Sequence, residues 1–464
     1  MKRYTTLSAA IALILGSSGA AFAVDQATIE QDGSGNTATI TQDQSDATAS
    51  IVQKGNDNFA NIENTLDTAA TVTTINQQGN SNVADIFTYD TDGAQATIDQ
   101  QGNGNGATID VDTSTNVTAD INQLGAENYA VISQWDSSDT IRAEINQDGQ
   151  ANIAYITQDA SVADDAVINQ LGAENDATIT QVASTGNVAQ IDQISDLAIA
   201  DITQSGADNL AVIYQEDSQN SWASITQDGD RNDALIENLP ISDDVTASIE
   251  QVGNDNIGYI STFDSDGGTL AISTVGNNNS AEIVVDSSFF TTATITQDGN
   301  ENLASIDQWV FSDNASATIT QIGDGNVAEI DQTDAAGSSV DIIQDGTGNE
   351  ATVDQLNIGN TANIEQIGTE NDADILQTGE SNTADIVQIG SFNLATVDQS
   401  GSYNEATISQ IGSNNDADIL QSGDYNIASI EQTGAFNTAT IDQSGMGTAD
   451  LPNTATIFQT GAFH

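Results

Sequence analysis

The chain has 464 residues, of which 69 are acidic and five are basic, giving a formal net charge of −64. So few cations exclude a basic face for nucleic acid or an anionic membrane, and the lack of cysteine removes disulfides, zinc–thiolate sites and thiol catalysis. Aromatic residues are scarce and Pro240 and Pro452 are the two prolines, so an interior has to be thin and built from Ala, Val, Ile and polar side chains.

Residues 1–23 read as a Sec signal peptide. Lys2 and Arg3 supply a positive start, residues 8–15 (SAAIALIL) a short apolar run, and Ala21-Phe22-Ala23 an A-x-A cleavage site that places the mature start at Val24. The run is too short for a permanent anchor, so the mature chain is expected to be exported.

Residues 24–349 carry a loose repeat, as in ATITQVASTGNVAQIDQ at 177–193 and ATITQDGNENLASIDQ at 293–308. One turn per coil keeps Q-x-G-x-x-N, with Gly55, Gly79, Gly102, Gly125, Gly149 and Gly172 about 23 residues apart. The opposite connection is longer and variable, as in WDSSDTIRAE at 135–144 and DASVADDA at 159–166. One edge is therefore expected to be uniform and the other ragged. Between Gly172 and Gly206 the count is three half-coils, which predicts a change of phase.

Residues 350–445 repeat every eleven residues without slippage. Gln recurs at Gln355, Gln366, Gln377, Gln388, Gln399, Gln410, Gln421, Gln432 and Gln443. Asn recurs at Asn360, Asn371, Asn382, Asn393, Asn404, Asn415, Asn426 and Asn437, and turn glycines at Gly368, Gly379, Gly390, Gly401, Gly412, Gly423 and Gly434. The unit is N-x-A-x-(I/V)-x-Q-x-G-x-x. Residues 446–464 hold one last partial repeat (Ala455, Ile457, Gln459, Gly461) after a short insertion with Pro452, a candidate cap or docking end.

Spacing of two within the unit predicts a strand with Asn, Ala, Ile and Gln on one face and Thr, Asp, Ser and Glu on the other. Gly after Gln is expected to supply a positive φ in a tight turn. Two units close a coil of about 22–23 residues, and coils stacked about 4.8 Å apart pair every backbone group with the coil above or below. The expected fold is all-β: a β-solenoid of stacked two-strand coils. The invariant residues are those that meet their own copies in the next layer. Inward Gln and Asn are then expected to bond along the axis as self-assembly ladders.

The motif Q-x-G-x-x-N-x-A-x-(V/I)-x-Q, seen as QDGSGNTATITQ at 31–42, QDGNENLASIDQ at 297–308 and QSGSYNEATISQ at 399–410, resembles the curlin repeat of bacterial curli subunits. The C-terminal repeats are closest in tone to the minor, nucleating curlin, though this chain is much longer and more acidic. The resemblance implies a β-solenoid that polymerises into extracellular amyloid fibres of a biofilm matrix. It also implies partners that are the chain itself or related curlin-like subunits, with an outer-membrane secretion or nucleation partner as a further candidate.

Catalytic signals are poor. The sole histidine is His464, so neither a Ser-His-Asp set nor a histidine metal cluster can form, and no carboxylate pair stands out for glycoside hydrolysis. Asp90-Thr91-Asp92-Gly93 and Asp264-Ser265-Asp266-Gly267 lack the continuation of a calcium loop. Weak, diffuse divalent binding by stacked acids is expected instead, with no catalytic, cofactor or metal residues. The expected function is a secreted, self-assembling curlin-like fibre subunit at the cell surface. The alternative is an unpolymerised acidic adhesin or matrix-binding rod, and a polysaccharide-active enzyme ranks below both.

Overall fold

The computed structural model describes residues 10–16, 25–43, 46–67, 70–137 and 140–461. The cleavage site at Ala21–Ala23, Lys2, Arg3 and His464 lie outside them. Among the described residues every regular element is a strand, and the chain divides into two compact units, Met1–Arg231 and Asn232–His464.

Each unit is a parallel β-solenoid. A coil consists of two strands joined by turns, and each strand pairs in register with the strand one coil away. In the first unit Thr118–Ala126 pairs with Arg142–Gln150, setting Ala119 on Ala143, Ile121 on Ile145, Gln123 on Gln147 and Gly125 on Gly149. In the second, Thr361–Thr369 pairs with Thr383–Ser391, setting Ala362 on Ala384, Ile364 on Ile386 and Gln366 on Gln388. The alternation follows the period of two. Asn360, Ala362, Ile364 and Gln366 are buried, while Thr361, Asn363 and Glu365 between them reach solvent. A single coil has only a few inward apolar side chains, so each is stable only with neighbours above and below.

The phase change falls at a β-bulge in the first unit. Asp176–Thr185 pairs with Ile199–Ala207 in register up to Gln181, then slips so that Ser184 meets Gly206. Ala183 takes a φ of 50° there. The bulge takes up one extra residue, three steps from Gln181 to Ser184 against two from Gln204 to Gly206, without exposing the core.

The variable edge is ragged outside and regular inside, which the spacing does not foretell. A buried serine ladder lines it. The backbone N–H of Ser137 donates to Ser114 Oγ at 3.3 Å, and that of Ser161 to Ser137 Oγ at 3.5 Å. In the second unit Ser288 N–H donates to Ser265 Oγ and Ser312 N–H to Ser288 Oγ, at 3.3 and 3.1 Å. Each of these serines follows a residue with positive φ, such as Asp136 (48°) or Phe311 (56°). The regular turns use the same device with asparagine, as in Phe392 (55°) before Asn393. Insertions therefore extend outward from an inner lining that keeps its step.

At the start of the chain, Ala10–Gly16 is a strand paired in parallel with Thr37–Asp43. At the other end, Thr448 and Leu451 close a small turn, after which Asn453–Thr460 rejoins the stack with Ala455 on Ala428, Ile457 on Ile430 and Gln459 on Gln432.

Candidate functional site: the amide ladders

The glutamines and asparagines of residues 350–445 gather into separate columns, because successive eleven-residue units fall on opposite sheets. One column runs Gln355, Gln377, Gln399, Gln421, Gln443, with Nε2–Oε1 distances of 2.9–3.0 Å. The other runs Gln366, Gln388, Gln410, Gln432 and continues to Gln459. Each Nε2 spends its second proton on a backbone carbonyl of the facing strand, as Gln388 does on Asp372 O at 2.8 Å and Gln399 on Thr383 O at 2.9 Å. Both amide protons and one lone pair are thus satisfied in a site closed to water, as burial demands.

Asparagine columns form likewise: Asn371, Asn393, Asn415, Asn437 and Asn360, Asn382, Asn404, Asn426. Asn393 Nδ2 donates to Asn371 Oδ1 at 2.9 Å and to Gly412 O at 3.1 Å, tying the turn of the next coil to the ladder. The two ladders have opposite polarity. Glutamine donates from the earlier coil to the later one, and asparagine from the later coil to the earlier.

The turn glycines stack as Gly368, Gly390, Gly412, Gly434 and as Gly379, Gly401, Gly423. Six of the seven take a positive φ, and all seven also lie tight against the backbone of the next coil. A Cβ on Gly379 would lie 1.5 Å from Gly401 O although its φ is not positive. The other positive φ in each turn sits on the variable residue before Asn.

Several glutamine steps are interrupted. In the first unit Asn64, Thr88 and Val111 stand in the column, and in the second Asn238, Thr262 and Val285 do so in one sheet and Thr274 in the other. Since each Oε1 depends on the coil before it, the first glutamine after a break is left without a donor. Gln134, Gln297 and Gln308 all have orphaned Oε1 atoms, as do Gln31 and Gln42 in the first coil. Thr274 Oγ1 is orphaned as well. Thr274→Gln is expected to pair Gln297 Oε1 and raise stability by about 1–2 kcal/mol, measured as a higher urea midpoint at constant slope.

In the second unit outward carboxylates stack with no Lys or Arg among them. Desolvation, together with Glu282, Asp331 and Glu329, pushes Asp307 up to about 6. Asp354 and Asp374 are also raised, by burial first and by neighbouring acids second. In the first unit burial raises Asp67 and Asp164, against hydrogen bonds from Thr88 and Thr91 and from Ser184 and Asn187. Among the described residues no group of three or more acids, Cys or His is placed to hold a metal ion. Asp92 and Thr91, in one of the loops compared with calcium sites, are spent on coil pairing: Asp92 bridges to Thr115 and Thr91 Oγ1 donates to Asp67. Trp135, Trp222 and Trp309 are partly exposed at strand ends.

Stacked parallel coils joined by internal amide columns define a β-solenoid of the repeat-built, structural class. Part of its repeat array is of the curlin family: the curlin associated repeat matches residues 200–229, 292–323, 312–345, 335–368, 368–391, 379–412 and 412–445. No curated protein matches the chain.

Proposed function

We propose that the chain is an exported, self-assembling structural protein whose copies stack end to end into extracellular fibres of the curlin kind, serving adhesion or a biofilm matrix. The observation that carries this reading is ladder polarity. The first coil ends in acceptors without donors, Gln31 Oε1 and Gln42 Oε1. The last glutamines, Gln443 and Gln459, direct Nε2 to backbone carbonyls instead of a further glutamine. Gln459 keeps one amide proton while Gln443 has both taken, so acceptors at one end and a donor at the other are what a second copy needs to continue the Gln459 column. The last strand, Asn453–Thr460, also leaves Leu451, Phe458 and Met446 more than 70% exposed, an apolar surface that stacking would cover. Ala10–Gly16 covers an edge of the first coil, and signal cleavage after Ala23 would free it.

The ladder residues of 350–445 would then be the assembly template, and the same columns leave enzymatic activity without a role. Mature protein is expected to form fibres with a 4.7–4.8 Å meridional reflection, seen by electron microscopy and fibre diffraction. Particles that stay monomeric across salt and pH would overturn the reading and favour an unpolymerised adhesin.

A further inference from the structure

One outward feature belongs to neither the ladders nor the ends. In the first unit the sequence I-N-Q recurs at 75–77, 121–123, 145–147 and 168–170, with I-D-Q at 98–100 and 191–193. Ile and Gln point inward, so the middle residue faces out. Coil stacking lines these residues up as a row: Asn76, Asp99, Asn122, Asn146, Asn169, Asp192. Asn76 Nδ2 donates to Asp99 Oδ1 at 2.6 Å, Asn122 to Asn146 and Asn146 to Asn169 at 2.9 Å, and Asn169 to Asp192 at 2.6 Å. The row forms one wall of a groove of about 870 Å³ that runs from Val52 to Tyr214 across eight successive strands. The opposite wall, two residues further along each strand, includes Leu124, Leu171 and Ile194, which are 44%, 50% and 36% exposed. At strand spacing the groove is about 34 Å long.

We infer that this groove binds an unbranched, neutral polysaccharide lying along the solenoid axis. Three observations select that occupant. The groove runs across the strands, whose N–H and C=O groups are consumed by pairing between coils, so an extended peptide could not add there as a strand. Lys54 is the only cation in its lining, in a chain of net charge −64, which disfavours a polyanion. What remains is a row of hydrogen-bonding amides and two carboxylates, facing a wall on which Leu124, Leu171 and Ile194 share the line with Gln78, Gln101 and Asp148. Sugar rings match this: hydroxyl edges can meet the amide row while the apolar ring faces lie on Leu124, Leu171 and Ile194. An outward amide row also forms in the second unit, Asn254 to Asn277 to Asn300 to Asp324, but it lies outside this groove. The corresponding positions on the same face of the second unit carry Asp307, Asp331, Asp354, Leu376 and Asp398, and the groove does not extend to them. Binding here does not depend on polymerisation, so it can be scored on monomer and fibre separately.

The test is affinity electrophoresis of the full mature chain through gels containing a soluble β-1,4-glucan, alginate or chitosan. The glucan should retard the wild type. Leu124→Glu/Leu171→Glu, and separately Asn146→Ala, should each weaken that retardation about tenfold, while Ile411→Glu on the second unit should leave it unchanged. The far-UV spectrum of each variant establishes that the coils are intact, and Asn146→Ala leaves the opposite wall untouched should the double variant misfold. The proposal fails if the glucan does not retard the wild type, if Ile411→Glu loses as much as the groove variants, or if only chitosan or alginate is bound.

Discussion

Gly412→Ala is expected to be the most damaging single-methyl change in the regular repeats, costing about 4 kcal/mol or more. Gly412 has φ +130°, against +128° and +111° at its stacked neighbours Gly390 and Gly434. A Cβ there would lie 1.8 Å from Gly434 O and 2.8 Å from Gly434 C. The clashing atoms are backbone, fixed by the ladder of the next coil, so relief requires the coils to separate. Separation would also break the bond from Asn415 Nδ2 to Gly434 O. Gly325→Ala is the matched control. Its φ is +67° and nothing lies within 4 Å of the added atom, so its cost should be about 1 kcal/mol, the ordinary penalty of a left-handed alanine. Because each coil contacts only its neighbours, the damage should be local. Denaturant midpoints together with limited proteolysis would show new cleavage near residues 390–434 for Gly412→Ala alone. Equal effects of the two substitutions would mean that turn strain, and not coil approach, fixes these glycines.

Much of this architecture was legible in the sequence because stacking makes identity visible. A residue that bonds its own copy 22–24 positions later varies little, so Gln355 through Gln443 and their asparagines announce both the period and the inward face. The phase change beside Val182–Ala183 could be located by counting, since three half-coils separate Gly172 from Gly206 where two separate the earlier glycines. What escaped detection was carried by weaker or mixed signals. The serine ladder hides in connections of unequal length, where Ser114, Ser137 and Ser161 share an inner position but follow different residues. Its trace is a Ser directly after a residue forced to positive φ, as in Asp136-Ser137 and Asp264-Ser265. The groove escaped because outward positions were read as free. Only the repetition of I-N-Q on alternate strands of the first unit distinguishes a built row from solvated filler. Ladder polarity cannot be read from the letters at all, since an amide column can run in either sense until the backbone carbonyl that accepts the second proton is fixed.

The stability of the second unit should fall as pH rises from about 4 to 7. Asp307 is the centre of the effect. Its carboxyl is half buried on the outward face of Leu303–Trp309, where Glu282, Glu329 and Asp331 from the strands on either side oppose its charge and no Lys or Arg exists in the unit to offset them. The folded value of about 6 lies above the ordinary 3.8, so between these values the folded state holds a proton that the unfolded state has released. Folding is then favoured by acid: the contribution is fully present below about pH 4 and is lost as pH passes through about 6. The full shift corresponds to at most about 3 kcal/mol, and solvent screening at this partly exposed position lowers it to roughly 1–2 kcal/mol. Asp354, Asp372, Asp374 and Asp418 are shifted in the same direction, so the slopes add. Asp307→Asn removes the charge without changing the shape, and it should raise stability at pH 7 by roughly 1–2 kcal/mol while leaving it unchanged at pH 4. Urea midpoints across this range test both statements. The same repulsion opposes the approach of two copies, so fibre growth should quicken on acidification and on adding salt, which shortens the screening length to about 8 Å at physiological ionic strength. A flat stability profile, a gain at pH 4 in Asp307→Asn, or growth rates indifferent to salt would show that the stacked carboxylates are already relieved by solvent and do not govern either equilibrium.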